Sequence, residues 1–305
     1  MIEEFMKSPY TVGVIIGIVF GIISRLSMLR TDYRQYPANP HGRIVHISLG
    51  VIAASLGAVA VPALLEKEYT AVTFLTLAAQ QFREVRSMER ETLTRIDSLE
   101  LVPRGVTYIE GIAIAFEGRN YLAITTALLS TLGSVLFTWY WGVAAGLLAL
   151  VLTHFFMSGK TVSQLAHIEQ AEVVMKGPDL YVNDIYIMNI GLEDTREKIA
   201  RHSLGFILHP KTPDFKVTLA NLGQRQAILH DLSTILGVYR DSGEPSLVPQ
   251  AKIDLNDGRL AVFILPQDRD PAKAMQVIGQ VPVLENAVRM PSESKAQKGE
   301  AKSEG

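Results

Sequence analysis

Two long apolar runs constrain this chain more than any other feature of it. Residues 10–29 read YTVGVIIGIVFGIISRLSML, with Arg25 as their lone charge. Residues 44–65, IVHISLGVIAASLGAVAVPALL, carry no formal charge, only His46 and two serines as polar groups. About twenty helical residues at ~1.5 Å each cover the ~30 Å hydrocarbon core of a bilayer, so each run predicts a membrane-crossing helix. The first run reads as an uncleaved span, because acidic Glu3 and Glu4 with one Lys7 precede it and no Ala-x-Ala site follows. In the second, Gly50, Ala54 and Ala58 recur every fourth residue beside Gly57, a face on which helix backbones approach closely. Between the runs Arg30, Arg34 and Arg43 outnumber Asp32, which places this loop in the cytoplasm and the N-terminus outside.

Residues 121–157 are apolar almost throughout, and as one helix they would reach about 55 Å, far beyond a bilayer. Trp139, Tyr140, Trp141 and Gly142 interrupt them, and such amphipathic aromatics favour the headgroup level. The reading is a hairpin of two short spans, 121–137 and 142–157, with one strongly tilted helix as the alternative. Residues 69–82 are charge-free but short for a span, which suits an interfacial or bundle-packed helix. The stretch FREVRSMERETLTR after them, with Glu91 and Arg95 four apart, reads as a solvated helix. Its arginines ask for the cytoplasm, as the 30–43 loop does, and both can hold only if 69–82 crosses; otherwise this long segment lies outside. A cytoplasmic C-terminal half is preferred.

Residues 106–118, VTYIEGIAIAFEG, cover only about 20 Å as a helix and read as short or re-entrant. Glu110 and Glu117 lie seven apart and so share a helix face, with Arg119 close behind to pair with either. Gly111 and Gly118 permit close backbone contact beside the acids. A charge in hydrocarbon is costly and must face protein, water or a partner. Three roles for Glu110 stay open: a buried ion pair or cap that fixes packing, a lining group of an ion or proton path, and an interfacial position above the hydrocarbon.

Tyr108-Ile109-Glu110-Gly111-Ile112-Ala113 spells YIEGIA, and the chain resembles the YIEGIA family of bacterial membrane proteins. FREVRSMERETL, FEGRNYL, DLYVNDIYIMNIGL and VTLANLGQRQAILHDLSTILGVYRDSGEP also resemble that family, in the same order. The resemblance implies a multi-pass membrane protein of endospore-forming bacteria that acts in spore formation. A small accessory subunit of a capping complex is the partner it implies. It brings no catalytic residues.

From residue 158 to 290 the pattern is that of a compact α+β domain, at ~130 residues long enough to bury its own core. AEVVMKG and DLYVNDIYIMNI read as strands parted by Gly177-Pro178-Asp179. LEDTREKIARH and LGQRQAILHDLSTILGV read as helices, FILHP as a strand, and AKIDL-NDG-RLAVFIL as a β-hairpin. Asp270-Pro271 opens a helix, VPVLENAV is a candidate last strand, and 291–305 reads as a disordered tail.

No catalytic constellation stands out. There is no Gly-x-Ser-x-Gly elbow, Walker loop or Rossmann fingerprint, and no pair of histidines has helical metal-ligand spacing. Adjacent His230 and Asp231 point about 100° apart on a helix, against a dyad. Asp254 and Asp257 flank a turn whose chemistry explains them without a metal. Cysteine is absent, which excludes thiolate catalysis and cysteine-ligated metals. With 29 basic against 31 acidic residues, no positive field points to nucleic acid. The expectation is a cofactor-free, non-enzymatic protein of the cell membrane, or of a forespore or spore membrane. It would be a homo-oligomeric assembly or scaffold component in contact with the lipid bilayer. The alternative is a channel or transporter with Glu110, Glu117 and Arg119 along a polar path.

Overall fold

The computed structural model describes residues 10–32, 40–156, 159–240 and 247–288, so the expected tail at 291–305 lies outside the described residues. The chain is mostly helical, with a small sheet-containing domain. It divides into two units, one of residues 1–92 and 112–158, the other of 93–111 and 159–305. The expected boundary near 157 therefore misses a segment, since residues 93–111 belong with the sheet-containing unit.

The helical unit is built from α1 (Thr11–Asp32), α2 (Pro40–Leu65), most of α3 (Tyr69–Asp97), most of α4 (Val106–Leu136) and α5 (Trp139–Phe156). Two stretches, Thr11–Leu29 and Gly42–Leu65, are long and apolar enough to cross a membrane. α2 ends at Glu66-Lys67-Glu68, where Lys67 turns left-handed (φ 54°) and Glu68 N–H donates to Ala63 C=O at 3.1 Å. α4 ends at Phe137-Thr138, and Thr138 C=O accepts from Trp141 N–H at 3.0 Å, so the turn falls where the aromatic cluster suggested. Trp139, Tyr140 and Trp141 are all exposed there. One expectation is corrected: 106–118 and 121–137 are not separate pieces but one continuous helix. Gly118 interrupts nothing, because no other atoms crowd its position and helical φ is open to it.

Small residues set the spacing of this unit. Ala54, Ala58 and Ala127 are fully buried together. A Cβ at Gly21 would meet Ala54 at 2.6 Å and Ala127 at 2.9 Å, and one at Gly57 would run into the backbone carbonyl of Ile124. The stripe read from the sequence is thus the surface on which α2 meets α1 and α4.

In the other unit, β1 (Ala166–Ala171), β5 (Leu204–Pro210), β7 (Leu260–Ile264) and β6 (Gln250–Ile253) form an antiparallel sheet in that order. β2 (Val173–Lys176), β3 (Asp179–Val182) and β4 (Ile185–Asn189) form a second antiparallel sheet. The helices are α6 (Val162–Leu165), α7 (Glu193–His202), α8 (Pro213–Ala220), α9 (Leu222–Leu236) and α10 (Pro271–Gln280). The second sheet contacts β5, β6 and β7, as do α8 and α9, so β7 is buried along its whole length and β5 along most of it. Ile187, Ile199, Ile207 and Phe263 lie in the shared core. Asp270 caps α10 by accepting from Lys273 N–H at 3.0 Å, with Pro271 first in the helix. Asp254 and Asp257 serve their turn, accepting from Asn256 N–H and Arg259 N–H at 2.9 Å each. VPVLENAV is not a strand: it makes one isolated bridge, Thr161 with Pro282, and a 3-10 turn at Glu285–Ala287. Pro282 has no N–H for a ladder, which limits pairing there.

Because Gly57 abuts backbone rather than a movable side chain, Gly57→Leu should destabilise the helical unit by about 3 kcal/mol or more. Gly118→Ala, in open space on α4, should be neutral or stabilising by up to ~1 kcal/mol. Thermal denaturation of the purified full chain in detergent compares the two.

Candidate functional site

The YIEGIA segment is anchored at the start of α4. Asp97 at the end of α3 accepts from Arg104 N–H at 2.5 Å and Gly105 N–H at 3.2 Å, which fixes the connecting loop. Gly105 takes φ +86°, a conformation that favours glycine. The Tyr108 N–H, one of the first-turn donors that a helix leaves unpaired, donates to Gln226 Oε1 on α9 at 3.0 Å. Tyr108 and Ile109 are each 1% exposed, and burial raises the phenol pKa. A Cβ at Gly111 would meet Asn286 and Leu284 at 3.0 and 3.1 Å, so glycine allows α4 to sit against that turn. Ile112 and Ala113 are buried as well. Tyr108 to Gly111, which belong to the α+β unit, are held within it by packing and a side-chain cap.

The three charged residues singled out from the sequence all lie on α4. Glu110 is half-buried and belongs to the α+β unit. Glu117 belongs to the helical unit and reaches Arg86 of α3 at 3.8 Å, while Arg119 is buried to 2% exposure.

A polar cluster in the helical unit went unread in the sequence. Arg25, 1% exposed, donates through Nε to Asn120 Oδ1 of α4 at 3.1 Å, and its guanidinium stacks over the Phe116 ring at 4.9 Å. The other side of this neighbourhood is His46 of α2, whose ring is 4.5 Å from Phe116 and whose Nε2 lies 3.3 Å from Glu89 Oε1 of α3. Both His46 and Glu89 are buried. Four helices thus meet through polar groups around one phenyl ring, with Gly50 clearing room for the Arg25 side chain. A signal did exist: Arg25 interrupts an otherwise apolar run, and His46 stands near the start of a charge-free one. The solvated-helix reading of FREVRSMERETLTR is corrected for one face, because Val85, Glu89, Leu93 and Asp97, spaced by four, are all buried.

On α9, His230 and Asp231 are adjacent and share Tyr108 and Arg104 as neighbours. His230 Nδ1 donates to Val102 C=O at 3.1 Å. Asp231 sits near Tyr108 and Arg104, and burial pushes its carboxyl up to about 6 although Arg104 pulls the other way. A carboxyl raised above its unfolded value is stabilising while protonated, so its contribution is fully present below pH 3.8 and is lost as pH rises through about 6. Asp231→Asn should remove that slope and leave the chain more stable than wild type above pH 7, by up to ~3 kcal/mol. Wild-type minus variant melting temperatures at acid and neutral pH check this.

The family described as YIEGIA protein matches residues 13–294. A protein of Bacillus subtilis (strain 168), named as uncharacterized protein YphB, is 58% identical over 286 residues, which cover 94% of this chain and 96% of that one. No solved structure matches. With the motif seated at the head of α4 and the family match running through both units, the chain belongs to the YIEGIA family.

Proposed function

We propose that this chain crosses the membrane five times, holds its α+β unit in the cytoplasm, and works without catalysis as an oligomeric assembly component of the spore-forming cell envelope. The observation that carries the reading is the His46–Glu89 contact. It levels the start of α2 with the charged half of α3, so α3 returns antiparallel beside α2 and emerges on the side of the basic 30–43 loop. The short 69–82 segment then crosses, and both arginine-rich stretches are cytoplasmic together. Arg25 with Asn120 levels the same end of α1 with α4, and a Cβ at Gly13 would touch Val135, which levels the other ends. α4 therefore runs outward to the exposed Trp139-Tyr140-Trp141 turn, and α5 returns the chain to the cytoplasm.

Outward-facing apolar side chains support the lipid setting. Val12, Ile15, Val19, Ile23 and Leu26 form an exposed helical stripe along α1, with Leu148, Val151 and Phe155 exposed on α5. An apolar groove of about 630 Å³ between α2 and α3, lined by Leu49, Ile52, Leu56, Phe74, Leu77 and Ala78, gives a second copy a place to seat a helix. The small capping-complex subunit implied by the family resemblance is a further partner, and the endospore-forming source of the relative supports the spore envelope as the location.

Cysteine labelling on this cysteine-free chain tests the topology. In intact cells Lys67→Cys and Thr138→Cys should react with a membrane-impermeant maleimide, and Ser98→Cys and Asn256→Cys only after permeabilisation. The reverse pattern removes the proposal. Liposomes holding the purified chain should show no ion flux. A flux abolished by Glu110→Gln would instead support the channel reading, with Glu110, Glu117 and Arg119 along its path.

A further inference from the structure

We infer that the α+β unit binds a small amino-acid-like zwitterion beside the C-terminal half of α9, its ammonium bridging His230 and Glu100 and its acid group facing Arg240. The inference does not depend on how the helical unit meets the membrane. A cavity of about 530 Å³ lies there, lined by Glu100, Val102, His230, Thr234, Val238 and Arg240 among others. That volume is within the ~300–1,000 Å³ usual for small-molecule sites.

The hydrogen-bonding inventory of the walls selects the ligand. A carbonyl can only accept, so the 3.1 Å contact with Val102 C=O fixes the proton of His230 on Nδ1. Burial and Arg104 both lower the His230 pKa, which keeps the ring neutral at physiological pH and leaves Nε2 with a bare lone pair. Glu100 Oε2 lies 3.9 Å from that nitrogen. That oxygen already takes Arg104 Nη1 at 2.7 Å, and its second lone pair and the bare Nε2 form two acceptors that a shared donor would bring together. A nitrogen carrying two or more hydrogens can sit about 2.9 Å from each and satisfy both. Ser233 and Thr234 add acceptors, because their hydroxyls donate to Leu229 and His230 C=O at 2.7 and 2.8 Å and present lone pairs outward.

Charge points the same way. Arg104 stands beside this pair, and Glu100 at 2.7 Å and Asp97 at 3.8 Å meet it with two carboxylates. The surplus at this end is negative and favours an ammonium over an anion. Arg240, exposed and lining the same cavity, supplies the complementary cation for a carboxylate at the other end of the ligand. Leu101, Val102 and Val238 offer apolar wall to an aliphatic side chain.

Titration calorimetry on the detergent-purified full chain, with L-leucine as the probe, tests this. Leucine should bind, and 4-methylpentanoate, which keeps the acid and lacks the amine, should bind at least about tenfold more weakly. Isopentylamine, which lacks the acid, should also be weaker. Glu100→Gln should cost about tenfold or more. Leu101→Trp, at a position already 41% exposed, should block entry without disturbing the fold. If Glu100→Gln does not fold, the ligand series and Leu101→Trp decide alone. Absence of leucine binding up to about 10 mM, equal affinity for 4-methylpentanoate, or undiminished binding by a folded Glu100→Gln overturns the inference.

Discussion

A guanidinium taken out of water among apolar helices needs a hydrogen-bond partner, an opposite charge or an aromatic face close by, and for Arg25 two of these stand on another helix. The partners come from elsewhere in the bundle: the Asn120 amide at 3.1 Å and the Phe116 ring at 4.9 Å, both on α4. His46 and Glu89 extend the same polar neighbourhood to α2 and α3. A slide of any of these helices by one turn, about 5.4 Å, would strand a buried polar group, so the contacts fix longitudinal register. The Gly and Ala surfaces around Gly21, Ala54 and Gly57 fix how closely the helices approach but are too uniform to fix register alone. The two devices divide the work: small residues bring the backbones together, and the polar cluster decides which turn faces which.

The α+β unit uses different means. Its central strands β5 and β7 are buried between a second sheet and helices, so they need no polar specification beyond their ladders. Polar residues gather instead where loop 98–105 and the first turns of α4 meet α9. There Asp97 caps the loop, Gln226 caps Tyr108, His230 holds Val102, and the half-buried Asp231 has Arg104 to favour its charge. Holding a carboxyl at this junction lowers stability at neutral pH.

Much of this was legible in the residues. Apolar length gave α1 and α2, the aromatic triplet gave the turn between α4 and α5, and the Asn256-Asp257-Gly258 turn with the Asp270-Pro271 cap gave two local structures of the α+β unit. What escaped did so for physical reasons. Glu89 looks solvated because its neighbours Arg86, Arg90 and Glu91 are charged, and only the four-residue spacing of Val85, Glu89 and Leu93 separates its face from theirs. The continuity of α4 was hidden where 106–118 ends, and Gly118 there stands in open space rather than making the close backbone contact expected of it. The seat of Tyr108 depends on Gln226, 118 residues away, a pairing that no local pattern encodes. Glu110 drew the eye for being acidic in an apolar run, whereas the buried charges that organise the helices stand at Arg25 and Glu89.

The central claim is the level at which α3 returns beside α2, and thiol cross-linking in native membranes measures it most directly. With cysteines in place of His46 and Glu89 on the otherwise cysteine-free chain, a short bifunctional thiol reagent should bridge the two within one polypeptide, giving a faster-migrating monomer band. A chain with cysteines in place of His46 and Glu66, at opposite ends of the α2–α3 hairpin, should not be bridged. Bridging of the second pair, or none of the first, would contradict the account.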